Sequence, residues 1–270
     1  MSLHISQLFI YPIKSLGGIS VDSSPVTSTG LLYDRRWMLV DQRGRFISQR
    51  ENATLSLLRV QIRSSTLVVF HKDHPSTSIE IPILEPVELN SMVRAEVAIW
   101  DDLCNAIVYP QLYSDWFTRV LGAPCQLVYM DDSIRREVDK SYAFRDEITS
   151  FSDGFPLLMI GQTSLDDLNA RLAYPLPINR FRPNIVFEGG YPFQEDAMPL
   201  FEINGLEYRA VKPCARCNIP TIDQETGINY EEPTKTLASY RLKDKKILFG
   251  QNVLVSSTGT ISVGDEIHLR

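Results

Sequence analysis

Apolar residues along this chain recur mostly with a period of two, the spacing of half-buried strands, and only twice with the 3.6-residue period of a helix. Residues 5–11 alternate loosely until Pro12 and the Gly17-Gly18 pair interrupt them. Arg36-Trp37-Met38-Leu39-Val40 and Arg45-Phe46-Ile47-Ser48 flank Asp41-Gln42-Arg43-Gly44, a turn that ends in glycine, and together they read as a β-hairpin. Further strands are expected at 67–70, at 78–83, where Pro82 marks an edge, and at 93–100. The later part of the chain repeats the pattern at 184–187, 253–255 and 260–267. Phe201-Glu202-Ile203 and Leu206-Glu207-Tyr208 enclose Asn204-Gly205, the strongest short hairpin signal in the sequence.

The first helical stretch covers residues 111–121, where Leu112, Trp116, Phe117, Val120 and Leu121 share one face and Gly122 and Pro124 end it. The second covers about 164–172, with Thr163 or Ser164 as the cap and Asp166 and Asp167 in its first turn. Many short strands with few helices, and no regular strand–helix alternation, exclude a doubly wound parallel sheet. The expected class is mainly β with a few helices (α+β), barrel-like in architecture. A seam near 122–152, where charge gathers in Asp131-Asp132 and Arg135-Arg136-Glu137, divides the chain into parts 1–122 and 123–270.

Composition narrows the function classes. With 44% hydrophobic and 22% charged residues among 270, the chain suits a folded globular protein and excludes disorder. No apolar run reaches the roughly 18 residues of a membrane span, and the first residues do not form a secretory leader. Four unevenly spaced cysteines do not make a disulfide framework, so a reducing, cytoplasmic setting is expected. A net charge of −6 argues against a nucleic-acid partner, which needs a basic footprint.

Candidate chemistry starts at Pro213-Cys214-Ala215-Arg216-Cys217. A structural zinc site would need a second ligand pair, which neither Cys104, Cys125 nor the four histidines supply at suitable spacing. A thioredoxin-like pair would have to open a helix, whereas Asn218-Ile219-Pro220-Thr221-Ile222 reads as extended. There remain a single reactive or metal-ligating thiolate, favoured by neighbouring Lys212 and Arg216, and two cysteines that merely pack as small apolar groups. Thiolates suit transition metals rather than calcium or magnesium.

Cations sit at strand termini throughout: Lys14 beside Ser15, Arg35 and Arg36 after Asp34, Arg50 after the hairpin, and Arg180 and Arg182 before Pro183-Asn184. Taken singly each is an ordinary surface charge; converging, they would make a basic pocket for a phosphate-bearing ligand. The paired carboxylates Asp101-Asp102 and Asp131-Asp132 read as solvated turn residues. Asp153, in the loop Phe151-Ser152-Asp153-Gly154-Phe155-Pro156, is a candidate for proton transfer or for capping its own turn. No P-loop, dinucleotide fingerprint, H-E-x-x-H or G-x-S-x-G motif occurs.

Six motifs then appear in order: Tyr11-Pro12-Ile13-Lys14-Ser15, Gly30-Leu31 with Asp34-Arg35, Phe181-Arg182-Pro183-Asn184, Pro213-Cys214-Ala215-Arg216-Cys217, Phe249-Gly250-Gln251-Asn252 and Val263-Gly264-Asp265. Over essentially its whole length the chain resembles the MOSC family, in its amidoxime-reducing form with an N-terminal β-barrel domain ahead of the MOSC domain proper. The resemblance implies two barrel-like parts with a cofactor cleft between them. It also implies a molybdenum cofactor, in which the metal is held by the dithiolene of a phosphorylated pterin and by one protein cysteine. By position Cys217 matches the metal ligand, and Cys214 its companion that does not bind metal. Lys14, Ser15 and Arg35 match residues at the phosphate end, and Arg182 and Asn184 match pterin contacts. Asp153, Gly154, Phe155, Ala215, Arg216 and Asn252 line the same site, with Arg50 beside them and Asp153 and Cys217 at the chemistry. Two positions depart from common patterns. Ala215 stands where relatives often carry serine, and Asn252 where mitochondrial members carry tyrosine.

The activity the resemblance implies is reduction of N-hydroxylated or related N-oxygenated compounds. An external donor would supply the electrons, a flavoprotein reductase with a small ferredoxin or cytochrome, since no cysteine cluster for an iron–sulfur domain follows the last strand. A different expectation stays open: a sulfur carrier or cofactor-handling protein with a persulfide on Cys217.

Overall fold

The computed structural model describes residues 2–270. Seven strands close on themselves in the order Leu157–Gly161, Ile185–Glu188, Leu3–Ile10, Glu266–Leu269, Leu200–Ile203, Leu206–Ala215 and Lys246–Val255, the last pairing back to the first. The result is a closed barrel. Side chains alternate across its wall, as strand geometry requires. Met159, Ile185, Phe187, Phe201, Tyr208, Val253 and Ile267, drawn from around the ring, meet in one buried cluster that fills the interior. Ile160, Val186 and Phe249 point outward and are covered by the helices Gln162–Asn169 and Thr234–Tyr240.

The rest of the chain forms smaller open sheets. Trp37–Val40, Gln126–Tyr129, Asp102–Val108 and Arg94–Ile99 make a four-stranded antiparallel sheet, and Leu58–Arg63, Thr66–His71 and His74–Pro82 a three-stranded meander. The helix Gln111–Leu121 packs Trp116 and Phe117 against both. Strand pairing crosses residue 122 in both directions. Leu3–Ile10 belongs to the barrel built mostly from later residues, while Gln126–Tyr129 pairs with Trp37–Val40. No helix among the described residues is long and apolar enough to cross a membrane.

Local chemistry accounts for several elements. The helix Gln111–Leu121 ends at Gly122 in the left-handed conformation, whose N–H bonds the Thr118 carbonyl. Leu112, expected on its buried face, is exposed because it lies in the first turn, beyond the edge of the contact. Asn204 and Gly205, both at positive φ, make the tight turn between Leu200–Ile203 and Leu206–Ala215. The second helix starts at Gln162, earlier than expected, on a Gly161 cap. Ser164 does not cap it, because its hydroxyl is turned to the buried Glu195 carboxylate. The stretch 260–267 is two strands and not one, Gly259–Ser262 and Glu266–Leu269, since Gly264 at φ 94° turns the chain from one sheet to another. Gly30 has φ 113°, and a Cβ there would lie 2.5 Å from the Pro156 carbonyl, so the loop ahead of Leu157–Gly161 docks on bare backbone.

Candidate functional site

One rim of the barrel carries the chemistry. Lys14 and Ser15 follow Leu3–Ile10, Arg182 and Asn184 precede Ile185–Glu188, and Asp153–Phe155 lead into Leu157–Gly161. Ala215 to Cys217 close Leu206–Ala215, and Asn252 lies on Lys246–Val255 beside Leu158. Facing them are Arg35, just ahead of Trp37–Val40, and Phe46, Ser48 and Arg50 on the segment after it. That segment, expected as the second strand of a hairpin, meets Val40 only through an isolated bridge at Phe46; the regular pairing of Trp37–Val40 is with Gln126–Tyr129 instead. The rim and facing residues line a single cleft with a cavity volume of about 120 Å³. Every residue expected in the cofactor site lies there: Lys14, Ser15, Arg35, Arg50, Asp153, Gly154, Phe155, Arg182, Asn184, Ala215, Arg216, Cys217 and Asn252. The parts meet by main-chain pairing: Lys14 N–H bonds the Trp37 carbonyl, Arg35 N–H that of Tyr11, and Phe151 N–H that of Arg35.

Two of the six cations noted at strand ends do not converge. Arg36 donates to the Met130 carbonyl and to Asp132, and Arg180 to the Pro220 carbonyl and to Asp223. Lys14, Arg35, Arg50 and Arg182 do converge, with Arg216 as a fifth. The cleft carboxylate is Asp153, and the fully buried Asp34 stands behind Arg35. Positive charge is therefore in excess in an acidic protein.

Arg35 is tightly held, donating to Asp34 Oδ2 at 2.6 Å, Asn184 Oδ1 at 3.2 Å and the Arg182 carbonyl at 3.2 Å. Desolvation works against its charge, but Asp34 more than compensates and raises its pKa. Arg182 is different. It is buried, its guanidinium lies 4.3 Å from the Tyr11 ring centroid, and among the described residues it meets no hydrogen-bond acceptor. Arg35 stacks on the same ring at 4.5 Å. Desolvation pushes the Arg182 pKa down to about 10, leaving it charged at neutral pH. The Nε of Arg216 is likewise buried without a partner. A buried cation lacking an acceptor is costly, and an anionic ligand in the cleft supplies the missing partner.

Backbone strain gathers at the same place. Ser15, Arg35 and Arg182 have φ values of 71°, 50° and 56°. Each costs on the order of 1 kcal/mol for a residue with a side chain, and such strain is typical of ligand clamps.

Within the cleft Lys14 Nζ donates to Asp153 Oδ1 at 2.5 Å. Burial pushes the Lys14 pKa down to about 8, with Asp153 opposing the fall. Desolvation would raise the Asp153 carboxyl, but Lys14, then Arg50 and Arg35, hold it well below the usual range. The Asp153 side chain is 61% open to the cleft while ringed by protein, so water in the cleft screens the pair and keeps it weaker than a sealed one.

The two cysteines differ. Cys217 is exposed at the cleft mouth, where Arg50 Nη1 lies 3.6 Å and the Ile219 N–H 3.5 Å from its sulfur. Cys214 is half-buried and receives Arg216 Nη1 at 3.1 Å. The segment after them, expected to be extended, forms the 3-10 turn Ile219–Thr221, started by Pro220 and closed by the Thr221 N–H on the Asn218 carbonyl. That turn aims the Ile219 N–H at the sulfur.

The profile described as MOSC domain matches residues 146–268, and that described as MOSC N-terminal beta barrel domain matches 2–124. The chain belongs to the MOSC family. It is 32% identical to mitochondrial amidoxime-reducing component 1 of Mus musculus over 98% of this chain and 82% of that protein. It is also 32% identical to the molybdenum cofactor sulfurase of Oryza sativa subsp. japonica over 92% of this chain, which spans about a third (32%) of that longer protein. Among solved structures, the YUAD protein from Bacillus subtilis aligns over 99% of this chain and 94% of its own, at 9% identity and a TM-score of 0.42.

Besides cleft-lining residues such as Phe46 and Ser48, sequence reasoning missed Arg136 and Trp100, which contact the Asp153 loop of the cleft. Arg136 is buried and donates to the carbonyls of Ser150 at 2.9 Å and Ser152 at 2.6 Å, tying the Asp153 loop to Asp102. Asp102 is thus an ion-pair partner and not merely solvated, and Asp131 is buried against Arg94. Trp100, at a hairpin tip, donates its indole N–H to Asp153 Oδ1 at 3.3 Å. The signal available for both was slight: an arginine amid a charged run, and an aromatic next to a turn.

Proposed function

We propose that the cleft binds a molybdenum cofactor and that the protein is an oxidoreductase reducing N-hydroxylated and other N-oxygenated compounds. The observation that carries this reading is the convergence of five cations, one without any acceptor, around a cleft with a free thiol at its mouth. A phosphorylated pterin suits the basic interior, and a soft metal suits the thiolate. Lys14, Ser15 and Arg35 would hold the phosphate, Arg182 and Asn184 the pterin, and Cys217 Sγ the metal. Gly154, Phe155, Ala215, Arg216 and Asn252 would line the same group, with Arg50 beside the sulfur. When bound, the group supplies the two-electron chemistry that removes oxygen from nitrogen.

The chain's own residues handle charge and protons. Replacing N–OH by N–H and releasing water consumes two electrons and two protons. Asp153, held ionised by Lys14, serves as an acceptor that orients substrate N–H or O–H groups, and is too weak a base to store a proton near neutrality. Lys14, whose pKa burial lowers to about 8, is the cation that keeps Asp153 ionised, and a phosphate held against it favours its charged form further. The electrons come from an external donor, for which we propose a flavoprotein reductase with a small ferredoxin or cytochrome.

The test is reduction of an amidoxime or a hydroxylated base analogue by metal-replete protein with an artificial electron donor. Product formation supports the reading, and failure on both substrates refutes it. The exposure of Cys217 also supports a second reading, a sulfur carrier, in line with the name of the sulfurase relative. Intact mass separates the two: a carrier gains one sulfur, whereas the reductase carries molybdenum and pterin.

A further inference from the structure

Trp100 sits at the tip of the hairpin formed by Arg94–Ile99 and Asp102–Val108, with φ 57°, a conformation that bulky residues adopt rarely and at a cost. It is 51% exposed, whereas Trp37 and Trp116 are buried. The interactions it makes belong to the cleft mouth. The Arg50 guanidinium lies 4.5 Å from its ring centroid, Phe46 meets it edge-on at 5.2 Å, and its indole N–H reaches Asp153 Oδ1 at 3.3 Å. Arg50 reaches in turn to the Cys217 sulfur at 3.6 Å. A flat, π-rich surface thus stands one side chain away from the thiol, with an ionised carboxylate at its edge.

We infer that Trp100, backed by Arg50, is the specificity wall of the site, selecting N-oxygenated compounds whose reacting nitrogen is attached to a flat, conjugated body. The inference rests on the reductase reading above. An open indole surface attracts a planar conjugated ring through stacking and area burial, while a puckered saturated ring makes fewer contacts and no π contact. The Asp153 carboxylate accepts from the amide-like N–H groups such compounds carry, which sets the reacting end towards Cys217. The contacts with Arg50, Phe46 and Asp153 hold the indole at the mouth and offset the cost of the positive φ at the hairpin tip.

The test uses the molybdenum-loaded enzyme and two substrates with the same reacting group, benzamidoxime and cyclohexanecarboxamidoxime. The wild type prefers the aromatic one. In Trp100→Ala the preference, as the ratio of kcat/KM values, falls about tenfold, the scale of a well-formed aromatic contact. The fall is carried by KM, and Trp100→Phe restores most of it. A second readout needs no turnover: benzamidoxime, added without electron donor, quenches the exposed indole saturably in the wild type and not in Trp100→Phe. An unchanged ratio, an equal loss on both substrates or an absence of saturable quenching overturns the inference. If the wild type reduces neither amidoxime, the reductase reading fails, and the quenching titration alone decides whether the wall binds flat ligands.

Discussion

Lys14 Nζ lies 2.5 Å from Asp153 Oδ1, a contact that spans 139 residues of sequence and joins the segment after Leu3–Ile10 to the loop ahead of Leu157–Gly161. Burial has lowered the lysine to about 8, and the carboxylate limits the fall. The pair puts a titrating cation in the wall where an anion would sit.

Two opposite pH trends follow from that lysine. Between about 8 and its ordinary value near 10.5 the unfolded chain binds the proton that the folded chain has released, so this group makes the unliganded protein more stable as pH rises through that window. Anion binding needs the charged form, so affinity for inorganic pyrophosphate falls across the same window. Calorimetric titration at pH 7 and pH 9.5 should show the loss, on the order of tenfold for one lost charge contact. Lys14→Arg, which stays charged, flattens the dependence.

Arg136 is a positioning residue. Its guanidinium holds the Ser150 and Ser152 carbonyls, and removing it leaves buried acceptors unpaired. Arg136→Ala should destabilise the fold by about 2–4 kcal/mol in denaturant titration. It should also release the Asp153 loop; because Asp153 supports the Lys14 charge more strongly than the Arg136 cation opposes it, the net effect is read as a fall in the apparent pKa of Lys14. Arg136→Lys restores part of the stability.

Glu195 is 1% exposed, receives the Ser164 hydroxyl at 2.8 Å, and has Oε1 without a partner. Desolvation pushes its pKa up to about 7, with the hydrogen bonds opposing. The folded state therefore binds the proton more tightly than the unfolded state. Stability from this group is complete below about 4.5 and is lost as pH rises through 7. Glu195→Gln should remove that slope, giving a variant about 2–3 kcal/mol more stable relative to wild type at pH 8 than at pH 4.5. Thermal unfolding at the two pH values checks it.

What the sequence makes legible is mostly local. The helix Gln111–Leu121 follows from its apolar face and Gly122, and the hairpin at Asn204-Gly205 from the one turn type those residues favour. Where distant contacts compete, local signals mislead: Ser164 looks like a cap until Glu195 takes its hydroxyl. The site divides the same way. Cations at strand ends are visible in the chain, but Arg36 and Arg182 look alike there, and tertiary pairing alone sends one to Asp132 and the other to the cleft. The family motifs resolve that ambiguity for the residues they contain. Arg136 and Trp100 lie outside the motifs, and their roles come from contacts 14 to 53 residues away.

The most direct measurement is the molybdenum and pterin content of the protein purified from a host that makes molybdopterin, compared with Cys217→Ser and Cys214→Ser. The wild type should retain about one metal and one pterin per chain, Cys217→Ser should lose the metal, and Cys214→Ser should keep it. A folded wild type that holds neither group, or equal loss from both substitutions, would contradict the account.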